Sequence, residues 1–349
     1  MNKKILALTA VSALLFSLPG LAAPLHIAQQ GLFSTGGTTI TSPGTFDPYN
    51  QWETTGQGQT AHVDHANVFF QIPEKANRAP IVFLHGYGQS RMGWMTTPDG
   101  RQGWSDMFLE KGHSVFLIDE PRRGEAGATS VSGDISTKTL EQRWYTQFRI
   151  GKWEEGKSVT NEGSQFPNDD KSVDQFFRQM TPDTGMKSDM GADFDGAMVA
   201  KAVAATIDEV YARTGKKPVL ITHSQGGRAG WLAVLYTDKI AAIAAIEPGN
   251  APVKDSPEYQ ALLKQHIPVT FYFGDYIHNG DPALSATKIW QAKLKECEDF
   301  TSQYQADGGQ SSVIDLPKEG IYGNDHFLFQ DLNNQVIFTH LDHWIDSLK

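Results

Sequence analysis

Residues 218–236 read PVLITHSQGGRAGWLAVLY, from Pro218 to Tyr236. Pro218 to Thr222 is a short run, apolar without alternation, as expected of a strand covered on both faces. Gly226 to Tyr236 reads as a helix, and the tight turn between the two carries Ser224. The same rhythm extends outward in both directions. Ala79 to Leu84 (APIVFL) is an apolar run that stops at His85-Gly86. Trp104 to Lys111 reads as a helix closed by Gly112, and Ser114 to Ile118 is a strand ending at Asp119. Residues 192–214 carry Met198, Val199, Val203, Ile207 and Val210 at helical spacing. Downstream, Ile240 to Ile246, Ile267 to Phe273 and Ser312 to Leu316 read as strands, with helices over Leu284 to Glu298 and Asn333 to Leu348. Short strands alternating with helices specify an α/β fold, a mostly parallel sheet with helices on both faces. Sites in such sheets form at the carboxyl ends of the strands, so the residues just after each run are the candidates.

The 349-residue chain is 40% hydrophobic and 20% charged, with a formal net charge of −10. That balance suits a globular core and excludes disorder or coiled coil as the main state. An acidic chain without a basic run is a poor match for phosphates, which argues against nucleic acid as a partner. The single cysteine, Cys297, excludes a disulfide framework. At the start, Lys3 and Lys4 precede an apolar stretch from Ile5 to Leu18, followed by Pro19, Gly20, Ala22 and Ala23. This is the order of a cleavable signal peptide over residues 1–23. The stretch is also shorter than the roughly 20 residues a membrane span requires. The expectation is a periplasmic or secreted protein with no membrane anchor, its single domain covering 24–349.

Two stretches depart from the rhythm. Thr60 to Ile72 alternates apolar and polar residues and predicts an N-terminal β-hairpin, while the Gly-, Thr-, Ser- and Gln-rich residues before it offer only short extended pieces. Residues from about 125 to 190 are polar and have no strand-like core run. A structureless loop of that length is unusual inside a compact domain, so this stretch is read as an inserted cap, mostly helical or irregular.

Thr222-His223-Ser224-Gln225-Gly226-Gly227 fits the nucleophile-elbow pattern G-x-S-x-G, except that Thr222 stands at the first glycine. The pattern needs small residues because strand and helix backbones crowd at the turn. Gly226 meets that need and Thr222 meets it less well. A serine so placed lies over a helix N-terminus, where developing negative charge is favoured. His85-Gly86-Tyr87-Gly88-Gln89 follows the earlier strand. In this arrangement an oxyanion hole combines an N–H from that loop with the N–H after the nucleophile, here Tyr87 and Gln225. The base must be a histidine late in the chain, titrating at about 6 to 7. The candidates past the turn are His266, His278, His326, His340 and His343; His266 precedes its strand, and His340 and His343 lie on the C-terminal helix. His326, in Gly323-Asn324-Asp325-His326, follows the last strand at the correct end. The acid stays open between Glu247, which closes Ile240–Ile246, and Asp275 in Phe273-Gly274-Asp275, with Asp281 just beyond. A carboxylate closing a buried strand needs a partner, and a histidine N–H would serve. The pairs His340/His343 and His62/His65 show no third ligand, so neither a metal nor another cofactor is expected.

These residues resemble the α/β-hydrolase superfamily. The likeness extends to its bacterial esterase 713 subfamily through the run Thr96-Thr97-Pro98-Asp99-Gly100-Arg101, then Gly103-Trp104, Asp119 and Arg123-Gly124. Glu247-Pro248-Gly249 and the segment from His326 to Asn334, with Gln330-Asp331, add to it, and most of residues 80–349 is covered. The resemblance implies carboxylic-ester hydrolysis by a Ser–His–Glu triad of Ser224, His326 and Glu247, with Tyr87 and Gln225 as oxyanion donors. It implies no cofactor and allows a homodimer. Two departures stand out. The subfamily pattern has adjacent cysteines where this chain has Tyr87-Gly88, so a disulfide-stiffened oxyanion loop is absent, and Thr222 replaces a glycine. The expected activity is that of a secreted serine hydrolase acting on a small-molecule or polymeric ester through an acyl-enzyme. Lactone, amide or polyester cleavage by the same triad is a rival reading, as is a non-catalytic binding protein on this fold. The aromatic residues of the cap, among them Trp144, Tyr145, Phe148, Phe166 and Phe176, either line an acyl pocket or pack the cap onto the core.

Overall fold

The apolar runs become the inner strands of one eight-stranded sheet in the computed structural model, which describes residues 24–348 apart from 53, 132–134, 136–137 and 186–195. The signal-peptide segment 1–23 therefore lies outside the described residues, as do positions 192–195 of the expected long helix. In chain order the elements begin with β1 (Ile27–Thr41), β2 (Thr60–Pro73), β3 (Ile81–Leu84), α1 (Met92–Met95), α2 (Trp104–Glu110) and β4 (Val115–Asp119). Next come α3 (Glu141–Gln147), β5 (Gly151–Glu154), β6 (Lys157–Thr160), α4 (Asp170–Arg178) and α5 (Gly196–Thr214). The remainder is β7 (Val219–His223), α6 (Gly226–Ala233), β8 (Ala242–Ile246), α7 (Pro257–Lys264), β9 (Val269–Phe273), α8 (Ser285–Ala306), β10 (Ser311–Asp315) and α9 (Asn334–Ser347).

The sheet order is β1-β2-β4-β3-β7-β8-β9-β10. Strand β2 is antiparallel to both of its neighbours, and every pairing from β4 to β10 is parallel. From β3 the chain winds first toward β4 and later toward β7, so the carboxyl ends of β3 and β7 adjoin where the winding reverses. That crevice is where open α/β sheets bind ligands. Strands β3, β4, β7, β8 and β9 are buried at every position. Each of their larger apolar side chains contributes about 1.5–3 kcal/mol by leaving water. Helix α5 packs on α6 and on β1, while α2 packs on α9. Cys297, on α8, is fully buried, and burial pushes its thiol well above the ordinary range.

The structure adds detail to these expectations. The alternating segment Thr60–Pro73 is the second arm of the expected N-terminal hairpin. It is one long strand whose partner is the glycine-rich β1, in register from Thr41↔Thr60 to Ile27↔Pro73. Glycine and polar residues hid β1, yet they are required there. A Cβ at Gly36 would come within 2.8 Å of Ala202 Cα, so glycine lets α5 approach the strand. The described part of the insertion between β4 and α5 is mostly helical or irregular. It holds α3, α4 and a hairpin of β5 and β6, turned by Glu155 and Gly156, both at positive φ, as two-residue hairpin turns require. Ser256 caps α7 by accepting the Tyr259 N–H, and Pro257 opens the helix. Within the insertion, Trp144, Tyr145, Phe148, Phe166 and Phe176 are buried and pack, while Trp153 is exposed.

Candidate active site

Ser224 follows β7 with φ of 52°, a left-handed conformation that is costly for a residue with a Cβ. Backbone bonds impose it. The Ser224 N–H donates to Ile246 O at 3.0 Å, and its carbonyl accepts from Gly227 at 3.0 Å and Gly249 at 3.1 Å. A Cβ at Gly226 would collide with the His85 carbonyl, and one at Gly86 would lie 2.7 Å from Ser224 Cβ. Both glycines are therefore dictated by the crossing of β3, β7 and α6. Thr222 is accommodated by a different glycine. A Cβ on Gly230 of α6 would lie 2.8 Å from Thr222 Cγ2, so the threonine methyl occupies space that the helix leaves open. Gly230→Ala is accordingly expected to cost about 1–3 kcal/mol through overpacking, despite alanine's better helix propensity. Thr222→Ala should recover most of that loss in the double variant. Urea denaturation checks both, and a Gly230→Ala protein as stable as the parent would refute the compensation.

Glu247 closes β8 with no exposed surface and a φ of 43°. Its Oε2 is 2.8 Å from His326 Nδ1. Its Oε1 accepts from the Gly274 N–H at 2.6 Å and from Arg149 Nη2 at 2.5 Å. Burial alone would push this carboxyl up, but the Arg149 cation and His326 hold it below the ordinary glutamate value, so it is ionised. Burial pushes His326 down, Glu247 pulls it partly back, and Arg149 pushes it down again. The imidazole is therefore neutral near pH 7. With Nδ1–H donated to Glu247, Nε2 carries the lone pair. That atom is buried and has no hydrogen-bond partner among the described residues.

His326 is held on several sides. Phe148 stacks on its ring at 4.8 Å, Trp290 and His223 each lie at 4.4 Å, and the His326 N–H donates to Phe148 O at 3.2 Å. His223, next to Ser224, donates through Nε2 to His326 O at 3.0 Å, and its Nδ1 lies 2.7 Å from the side-chain amide of Gln89, whose NH₂ is the group from which a neutral ring accepts there. Burial and the neighbouring His326 keep His223 well below the histidine range, so it serves as a neutral strut. The loop from 326 to 334 is anchored by Arg101, whose guanidinium donates to the carbonyls of Gln330 at 3.2 Å and Asp331 at 3.1 Å and to Asn334 Oδ1 at 3.0 Å. Trp104 Nε1 adds a bond to Asn334 O at 3.1 Å.

At the end of β3, His85 Nε2 accepts the Glu120 N–H at 3.2 Å, which leaves Nδ1–H to donate to Gly86 O at 3.0 Å. Burial holds His85 at about 4, so it stays neutral. The Gln89 N–H also donates to Gly86 O, at 3.2 Å. Because the peptide is planar and trans, fixing this carbonyl turns the Tyr87 N–H the opposite way. Where the subfamily pattern would put cysteines, the insertion supplies contacts instead. Trp144 stacks on Tyr87 at 5.6 Å, and the Thr181 N–H donates to Gly88 O at 2.8 Å.

The structure thus joins Glu247 to His326 and sets Ser224 beside His223 and Gly86. It gives Asp275 another task. Its carboxylate accepts the N–H groups of Tyr276 at 2.7 Å and Gly323 at 2.9 Å. Asp281 accepts from Ala283 N–H at 2.9 Å. His278 pairs with Asp315 and His340 with the Tyr272 hydroxyl. Arg149 and the strut His223 were not anticipated. His223 lay inside the turn that decided the fold, but nothing in its spacing marked it, and Arg149 is one arginine in a polar stretch. Among the described residues, no three or more His, Cys, Asp or Glu side chains converge as a metal site.

No family model matches the chain. It is 26% identical over 321 residues to a protein named "Probable secreted lipase phiG" from Fungal sp. (strain ATCC 74256), covering 77% of this chain and 82% of that one. A bacterial esterase solved at atomic resolution superposes with a TM-score of 0.76 and 29% identity, covering 95% of this chain and 99% of that one. With the sheet order and the strand–turn–helix at Ser224, these likenesses show the α/β-hydrolase fold in a chain similar to esterases and lipases.

Proposed function

We propose that the protein is a secreted serine esterase. Ser224 Oγ attacks the acyl carbon of a carboxylic ester as its proton passes to His326 Nε2, and the N–H groups of Tyr87 and Gln225 receive the oxyanion. Collapse of that intermediate breaks the bond to the alkoxy oxygen. The alcohol leaves with the proton from His326, and Ser224 keeps the acyl group as an ester. Water then repeats the attack, its proton passing through His326, and releases the acid and the free serine. Each oxyanion donor is worth about 3 kcal/mol in sites of this kind. The observation that carries the reading is the 2.8 Å bond between His326 and an ionised Glu247, one strand from the positive-φ turn of Ser224. Secretion is supported by the positive, apolar and small-residue order of residues 1–23 and by the fungal relative's name. No helix among the described residues is long and apolar enough to cross a membrane. The test is a fluorophosphonate probe followed by peptide mapping. Modification confined to Ser224, with parallel loss of p-nitrophenyl ester hydrolysis, is the expected result, and an active protein that takes no label overturns the reading.

The pH profile follows from the burial of the base. His326 lies below the ordinary value of 6.5, so a neutral base persists into mildly acid solution. The acid limb of kcat/KM is expected with its midpoint below 6.5. Stability moves in the same direction. His85, His223 and His326 all resist protonation when folded, so below pH 6.5 the unfolded chain takes up protons that the folded chain refuses. The profile is therefore read only where circular dichroism shows an intact fold. A midpoint above about 7, or a flat profile down to about pH 4.5, would count against His326 as the base.

A further inference from the structure

The inserted segment delivers a buried cation to the acid of the site. Arg149 follows α3, is 4% exposed, and adopts φ of 60°. Its carbonyl accepts Asn161 Nδ2 at 2.6 Å, which helps to hold that backbone. Its guanidinium donates through Nε to Asp275 O at 3.0 Å and through Nη2 to Glu247 Oε1 at 2.5 Å, and it lies over the Trp290 ring at 4.9 Å. The preceding residue, Phe148, is the one stacked on His326. We propose that Arg149 is a positioning residue for ester hydrolysis, occupying one oxygen of Glu247 so that only the other faces His326 and keeping that buried carboxylate charged. This rests on the triad reading above.

Three observations support it. First, Oε1 takes two donors, Arg149 and the Gly274 N–H, so the carboxylate cannot rotate without losing both. Second, Glu247 is fully buried, and an isolated buried carboxylate takes up a proton rather than stay charged. A protonated Glu247 could no longer stabilise the imidazolium that forms during the reaction. Third, among the described residues the other ionisable groups around the pair supply no such charge. His223, from β7, is kept neutral by burial, and Asp325, in the loop of His326, is pushed well up by burial and by Asp331. Asp331, in the same loop, is pushed up as well. Asp275 reaches Arg149 through its backbone carbonyl, its carboxylate being taken by Tyr276 and Gly323.

The experiment compares Arg149→Met, Arg149→Lys, Glu247→Gln and the double variant Arg149→Met/Glu247→Gln. Rates are expressed per active site titrated with the fluorophosphonate probe. Arg149→Met is expected to lower kcat by about 100-fold while KM stays within about threefold. Its acid limb should move to higher pH, because His326 loses a repelling cation and Glu247 becomes easier to protonate. Arg149→Lys, which keeps the charge, should recover most of the rate and return the limb toward the parent. In the Glu247→Gln background, loss of Arg149 should cost less than about threefold, since a group acting through Glu247 has nothing left to act on. An Arg149→Met enzyme with parental kcat and an unmoved limb overturns the proposal, as does a full 100-fold cost in the double variant. Should the methionine variant not fold, Arg149→Gln is read in the same way. If neither yields titratable sites, Arg149 serves to anchor the insertion and the proposal fails. If Glu247→Gln alone keeps full activity, it is the triad reading that has failed.

Discussion

Ser224→Ala should leave a folded, soluble protein whose ester hydrolysis has fallen by a factor on the order of 10⁴ to 10⁶, the usual cost of losing a triad nucleophile. The fold should survive because the bonds that hold the left-handed turn come from the Ser224 backbone, to Ile246, Gly227 and Gly249, and not from its hydroxyl. Alanine keeps the Cβ that already sits against Gly86. On the proposed mechanism the residual rate would come from the oxyanion donors and from substrate positioning. The check is p-nitrophenyl ester turnover alongside circular dichroism and loss of fluorophosphonate labelling. Activity within tenfold of the parent would sink the assignment.

The second large effect separates two carboxylates. Glu247→Gln is nearly isosteric, and its amide oxygen can still accept from Gly274 and Arg149. That orientation turns the amide NH₂ toward His326 Nδ1, which must then accept rather than donate. The imidazole is forced into the tautomer with its proton on Nε2, where it cannot take one from Ser224. Loss of a triad carboxylate in this manner costs about 10³-fold or more in kcat. Asp275→Asn removes one acceptor from a turn between β9 and the loop carrying His326, and should change the rate by less than about tenfold. The reverse ranking, with both proteins folded, would assign the acid to Asp275.

Much of this arrangement was legible in the chain because it depends on local rules. Runs such as Ala79–Leu84 and Ile240–Ile246 are apolar throughout since both faces of the sheet are covered, and Gly226 marks a turn that tolerates no larger residue. His326 could be chosen over His340 because its position after the last strand fixes which end of the sheet it reaches. The acid could not be chosen from position alone, since Glu247 and Asp275 close adjacent parallel strands. In the structure Glu247 meets His326, while the Asp275 carboxylate is occupied by two backbone N–H groups. Arg149 was illegible for a further reason. Whether one arginine in a polar stretch is buried depends on how the insertion folds back, and it meets Glu247 across 98 residues of sequence. Strand β1 escaped notice because its glycines reflect the closeness of α5 and not the strand itself.

The buried thiol on α8 has a practical corollary. Since the chain has one cysteine and it shows no exposed surface, the folded protein presents no native sulfhydryl to reagents in solution. A single replacement at an exposed position such as Val336, 52% exposed on α9, would therefore be the one addressable point for a maleimide dye or a solid support. Immobilisation could be oriented and fluorescence made site-specific without first deleting anything. Cys297 would become reactive only as the helix peels from the sheet, so thiol accessibility would also serve as a clock for the opening of that side of the molecule.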